Sequence, residues 1–188
     1  MIARANHRIT YPSRIQLIAA MNPCRCGRAG EPGYVCRQGR TCAERYQARI
    51  SGPMFDRIDL QIEVPAVSAA DLVLPPASEG SAEVRARVTQ ARRAQTGRYA
   101  ALGLARVRTN AECDGALLEE IAAPDRAGLT LLREAADALS LSARGYHRTL
   151  RVARTLADLD GEDKVARIHI AEALSYRGET LRRAQAAA

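Results

Sequence analysis

An apolar run that ends abruptly in Asn-Pro limits the folds open to this chain more than any other feature. Leu17 to Met21 is unbroken apolar sequence, and Asn22-Pro23 stops it. Side chains of one character on both faces suit a strand buried in a parallel α/β sheet, so Ile15 to Met21 is expected to be such a strand. Asn22 would then sit at the strand tip, where open α/β sheets bind ligands. A second segment, Ile58 to Val64, alternates with period two and places Ile58, Leu60, Ile62 and Val64 on one face before Pro65 ends it. Asp56-Arg57 precedes it and puts a guanidinium at a domain edge.

The first fourteen residues alternate enough for a short hairpin with Asn6, His7 and Arg8 near its tip, and residues 43–50 suit a short helix. After the Pro-, Ser- and Gly-containing connection at 67–81 the pattern becomes helical and stays so. Residues 82–102 carry Val84, Val88 and Ala91 on one side. Asp125 is placed to cap a helix sharing Leu129, Leu132, Ala136 and Leu139, and Ser142 to cap another striped by Tyr146, Leu150, Ala153 and Ala157. Arg144, Arg148 and Arg151 line the opposite face of that helix, which also contains Gly145. A last helix is expected near residues 168–176. The expected organisation is therefore an α/β portion over 1–66, a linker over 67–81, an all-helical domain over 82–178 and a tail over 179–188.

With 47% hydrophobic residues, 4% aromatic and no Trp, Ala and Leu must do most of the packing. The formal charge of +7 favours phosphate, nucleic acid or an acidic partner, or else describes a solvated Arg-rich surface. No stretch approaches the ~18 apolar residues that span a membrane, and no signal peptide is evident, so a cytoplasmic location is the expectation. Five cysteines without an export signal point to thiols or metal ligands rather than disulfides. Cys24, Cys26, Cys36 and Cys42 lie in one loop and could close a tetrahedral zinc site, although their spacing departs from the usual zinc knuckle; packed, reduced thiols are the alternative. Cys113 reads as a small core residue. His7, His147 and His169 show no metal or triad spacing.

A phosphate-cradling P-loop needs a glycine-rich turn followed by Lys and Ser or Thr. The chain's one lysine, Lys164, is followed by Val165, and no apolar run ends in paired carboxylates. Neither Walker element is present.

Leu17 to Cys24, Ser51-Gly52-Pro53-Met54-Phe55-Asp56-Arg57-Ile58-Asp59-Leu60, Ser142 to Arg148, Arg154 to Leu159, Glu172-Ala173-Leu174 and Tyr176-Arg177 together resemble the YifB/ComM family of magnesium-chelatase-like AAA+ ATPases, over nearly the whole chain. The resemblance implies the carboxyl-terminal part of such an ATPase: the last strands of an AAA+ core followed by a helical lid. It implies that Asn22 is sensor 1, Arg57 the arginine finger acting on a neighbouring subunit, and Arg144 the sensor 2 arginine, with Arg148 a substitute one turn on. ATP with Mg2+ would be bound in the complete protein, a homo-oligomer expected to be a hexameric ring, and this chain alone would be inactive. Arg4, His7 and Arg8 match a hairpin that in related helicases contacts DNA in the central pore. The local alternatives are an Asn-Pro turn, a pairing of Arg57 with Asp56 or Asp59, a solvated basic face at Arg144, and an ordinary surface hairpin.

The ComM type couples hydrolysis to branch migration of DNA. Two other functions stay open: the motor subunit of a magnesium chelatase, and a stand-alone zinc-ordered module that binds nucleic acid without ATPase activity.

Overall fold

A computed structural model describes residues 2–4, 7–11, 15–28, 34, 36, 38, 41–65, 67–68, 71–75 and 78–177. The chain forms two compact units, Met1–Ile50 and Ser51–Ala188. The expected tail lies outside the described residues.

In the first unit, β1 (Ile2–Arg4) and β2 (His7–Ile9) form the expected hairpin, with Ile2 opposite Ile9, Ala3 opposite Arg8 and Arg4 opposite His7. The connecting residues, Asn6 among them, lie outside the described ones. Residues 15–22 correct the sequence reading. They belong to no helix or ladder among the described residues, and Ile15 and Ile18 are 80% and 86% exposed. Hydrophobicity records that these side chains suit burial; a strand also needs neighbouring strands to take its N–H and C=O groups. Among the described residues none lies alongside. The unit also contains α1 (Thr41–Gln47), whose Gln47 Nε2 donates to the Pro23 carbonyl at 3.0 Å and ties the helix to the start of the Cys-rich loop.

The second unit begins with the short turn of helix α2 (Gly52–Phe55), which has Pro53 in its first turn, where a missing N–H costs nothing. Residues 58–64 again depart from expectation. They make one parallel bridge, Gln61 to Arg177, and Leu60, Ile62 and Val64 are exposed for the same want of a partner strand. The AAA+ strand core is therefore not formed among the described residues.

The helical part comprises α3 (Ser81–Ala101), α4 (Gly115–Ile121), α5 (Arg126–Ala138), α6 (Ala143–Asp160) and α7 (Arg167–Ser175). Of these, α3, α5, α6 and α7 lie where the periodicity puts helices, and α4 is one the sequence reading did not name. Asp125 caps α5 by accepting from Gly128 N at 2.6 Å, and Ser142 caps α6 by accepting from Gly145 N at 3.0 Å. Gly161 ends α6 at φ 77°, a left-handed conformation that glycine adopts without penalty. α6 is the spine, packed against α3, α4 and α7, while α5 packs on α7. Leu118, Leu132, Leu150, Ala153, Ala157, Val165, Ile170 and Ala173 fill the core with Tyr99 and Cys113. On α3 the buried stripe is Ala91, Gln95 and Tyr99; Val84 and Val88, expected on the same side, are exposed because only the carboxyl-terminal half of the helix meets α6 residues such as Asp158.

A polar knot crosses this core. Asp158 is 3% exposed and accepts from Gln95 Nε2 at 3.1 Å, Asn110 Nδ2 at 2.8 Å, Arg154 Nε at 3.1 Å and the Arg98 guanidinium. Burial pushes its carboxyl up, but hydrogen bonds from Arg98 and Asn110 and the charges of Arg154 and Arg98 outweigh it, leaving Asp158 below the usual carboxylate range. His169 is likewise structural: Nδ1 accepts from Ala166 N at 2.9 Å and Nε2 lies 3.2 Å from Asp160.

Candidate functional site

The segment around Arg57 is held by residues from both ends of the helical unit. Asp56 follows directly on the α2 turn, and its Oδ2 accepts from Ser142 Oγ at 3.0 Å. Its Oδ1 accepts from Arg177 Nη2 at 2.9 Å. Asp59 pairs with Arg148, in the second turn of α6. Gln61 N donates to the Tyr176 carbonyl at 2.8 Å, and Gln61 Nε2 to Phe55 O at 3.2 Å. Gly145 is buried at this junction, and a Cβ on it would lie 3.5 Å from Arg177 Nη2, Asp56 Oδ1 and Ser142 Oγ alike.

Both carboxylates beside Arg57 are thus taken by other arginines. Arg57 is exposed, its Nη1 donates to Pro53 O at a long 3.4 Å, and it forms no ion pair among the described residues. Arg144 is also exposed and without an ion pair among the described residues, in the first turn of α6 and two residues past Ser142. Arg148 differs, being partly buried and engaged with Asp59. Arg151 is engaged as well, since its Nε donates to the Cys113 carbonyl at 2.7 Å. Among the described residues, the basic face of α6 therefore divides into one cation without an ion pair and two structural ones.

In the first unit, Asn22 is exposed, and its Nδ2 lies 3.8 Å from where a Cβ would stand on Gly27. Gly27 has φ +82° and closes a turn by donating to the Cys24 carbonyl at 3.0 Å. Arg4, His7 and Arg8 are exposed; Arg4 and His7, directly opposite, share one face of the hairpin and Arg8 takes the other.

The same loop gathers the thiols. The sulfurs of Cys24, Cys26 and Cys42 lie within 4.8 Å of one another, with Cys24 to Cys26 at 2.9 Å, and Cys36 Sγ is 3.5 Å from Cys26 Sγ. Four thiolates around one zinc, at ~2.3 Å each, stand about 3.8 Å apart. Cys24 and Cys42 are buried in a segment with little apolar sequence. Hydrogen bonding to Cys24 is the main reason that the exposed Cys26 thiol lies below its ordinary value. The cluster fits a metal ion.

Residues 78–177 match the family described as magnesium chelatase, subunit ChlI C-terminal, and residues 1–72 match magnesium chelatase, subunit ChlI. The chain belongs to the magnesium chelatase ChlI family. This chelatase-family chain is 40% identical over 187 residues to an uncharacterized protein of Mycobacterium tuberculosis, a match covering 97% of the chain and 35% of the relative. It is 39% identical over 181 residues to the competence protein ComM of Haemophilus influenzae, covering 94% and 33%. With the uncharacterized protein YifB of Escherichia coli it shares 37% identity over 179 residues, again 94% and 33%. It spans about a third of the length of the curated relatives it matches.

Within this chelatase-family chain, sequence reasoning missed Asp56, Asp59 and Arg177 as a group. Their partners lie 86, 89 and 121 residues apart, and no local pattern signals such pairings. The Asp158 knot was missed for the same reason.

Proposed function

We propose that this chain supplies the nucleotide-sensing and transition-state residues of a ring-forming AAA+ ATPase that moves on DNA, as a ComM-like branch-migration motor. The observation that carries the reading is the freedom of two cations beside a fixed framework. Arg57 and Arg144 are exposed and without ion pairs among the described residues, while Asp56 and Ser142, their near neighbours, bond to one another. A guanidinium with no ion pair among the described residues is available to a neighbour's γ-phosphate, where it stabilises charge that develops on transfer. Arg144 takes the sensor 2 role more readily than Arg148, which would first have to leave Asp59.

Asn22 is the sensor 1 candidate, because its amide can donate to a γ-phosphate oxygen and accept from the attacking water. Arg4, His7 and Arg8 would meet DNA phosphates by charge and reach rather than by base geometry. The residues named fit phosphate oxygens and not Mg2+, so the phosphate cradle and the magnesium carboxylate would come from elsewhere in the ring. Hexamers are the expected assembly, and the chain by itself is expected to be inactive. The test is ATP turnover by the ring with and without branched DNA: stimulation by DNA supports the motor, stimulation only by a porphyrin-metallating partner supports a chelatase motor subunit, and turnover by this chain alone contradicts the division of labour.

A second reading concerns the thiol loop. Its sulfur geometry supports a metal held by Cys24, Cys26 and Cys42, with Cys36, near Cys26, the expected fourth ligand of a structural zinc. Bound zinc would order a segment that has little core of its own. Metal analysis of the purified chain checks this, and metal with salt-dependent DNA binding but no ATPase role in any ring would favour the stand-alone module.

A further inference from the structure

The finger segment Ser51 to Gln61 belongs to the same compact unit as the helices. Its grip there is specific. Asp56 is held at both oxygens, one by Ser142 at the start of α6 and one by Arg177 just beyond α7, while Asp59 is held by Arg148 of α6. A backbone bond from Gln61 to Tyr176 adds a fourth attachment. Arg57 stands between the two clamped carboxylates, and among the described residues its side chain is steadied by the Pro53 carbonyl in its own turn.

The clamp is also imperfect in one place. Among the described residues, four buried side-chain atoms lack hydrogen-bond partners, and all belong to clamp residues: Arg177 Nε and Nη1, Arg148 Nε and Gln61 Oε1. Arg177 is 2% exposed and spends one of its five donors. Buried donors left unpaired favour any arrangement that satisfies them, which makes this junction a place where two arrangements can lie close in free energy. Ser142 sits at the pivot: its hydroxyl accepts the α6 cap bond and donates to Asp56, two residues before Arg144.

We propose that Asp56 and Asp59 are positioning residues that fasten the arginine-finger segment to the amino-terminal end of α6, so that Arg144 engaging a nucleotide moves Arg57 with it. This rests on the ATPase reading above and deepens it: what one subunit senses sets the catalytic group it offers to the next. Coupling of this kind requires an element that both sites bias, and α6 with its clamp is that element.

The experiment uses the complete ring. Asp59→Asn is expected to lower kcat for ATP by on the order of tenfold to a hundredfold, the loss that small misplacement of a catalytic group produces, with KM unchanged. The charge-exchanged pair Asp59→Arg with Arg148→Asp is expected to restore kcat, which a general loss of stability would not allow. On the unsubstituted ring, a non-hydrolysable ATP analogue should change hydrogen exchange over 52–61 and 142–148 together, a readout that survives if a variant fails to fold. Wild-type kcat in Asp59→Asn, or protection of one segment without the other, overturns the inference alone. An unsubstituted ring that does not turn over ATP overturns the ATPase reading and the inference with it.

Discussion

Arg177 Nη2 donates to Asp56 Oδ1 across 2.9 Å, although 121 residues separate them, and Arg177 keeps two buried nitrogens unpaired among the described residues. Removing the two partners should therefore cost different amounts. Asp56→Ala leaves a buried guanidinium with no counter-charge and is expected to destabilise by about 3–5 kcal/mol. Arg177→Met removes the orphan donors together with the charge, and Asp56 retains partial access to water, so about 1–3 kcal/mol is expected. Chemical denaturation of both variants checks the order; equal losses would mean that the unpaired nitrogens carry no penalty.

Asp158 makes the fold acid-sensitive. Its carboxyl is held below the usual range, so its contribution is fully present above the unfolded value of about 3.9 and is lost as pH falls through the folded one. Asp158→Asn should flatten the acid limb of a stability profile below about pH 4. Asp158→Ala should cost about 3–5 kcal/mol at neutral pH, because Arg98 and Arg154 lose their common acceptor. Thermal melts from pH 3 to 7 read both effects.

Arg57→Ala and Arg144→Ala should leave stability within about 0.5 kcal/mol, since neither forms an ion pair among the described residues. In a ring, Arg57→Ala should lower kcat by on the order of a thousandfold. Mixed rings should follow the fraction of substituted subunits. A large drop in melting temperature for either variant would mean that the side chain is structural.

Cys24→Ser and Cys42→Ser should abolish stoichiometric zinc in the purified chain, and a chelator should loosen residues 22–47. Zinc content by elemental analysis, with proteolysis of the loop before and after chelation, tests both. Undiminished metal in Cys24→Ser would exclude this cluster.

The hairpin gives a salt-dependence test. If Arg4 and Arg8 contact phosphates, replacing either with Ala should reduce the slope of log affinity against log salt by about one. An unchanged slope removes the hairpin from the DNA interface.

Much of the helical unit was legible in the sequence. The 3.6-residue stripes of α5 and α6 and the Asp125 and Ser142 caps are local signals, each readable within one or two turns. The candidate site was half legible. Arg57 and Arg144 stood out by motif, but that they form no ion pair among the described residues, and that Arg148 and Arg151 are engaged, depended on carboxylates and carbonyls far along the chain.

By itself the sequence determined most of the longer helices, the Asp125 and Ser142 caps, which cysteines share a loop and which family the chain belongs to, because spacing and residue chemistry are carried within a few neighbouring residues. Only the tertiary structure decided that Ile15 to Met21 and Ile58 to Val64 form no ladder among the described residues, and that Asp56 and Asp59 answer to Ser142, Arg177 and Arg148 rather than to Arg57. A strand and an ion pair are completed by a second partner, and where that partner lies is settled only when the chain has folded.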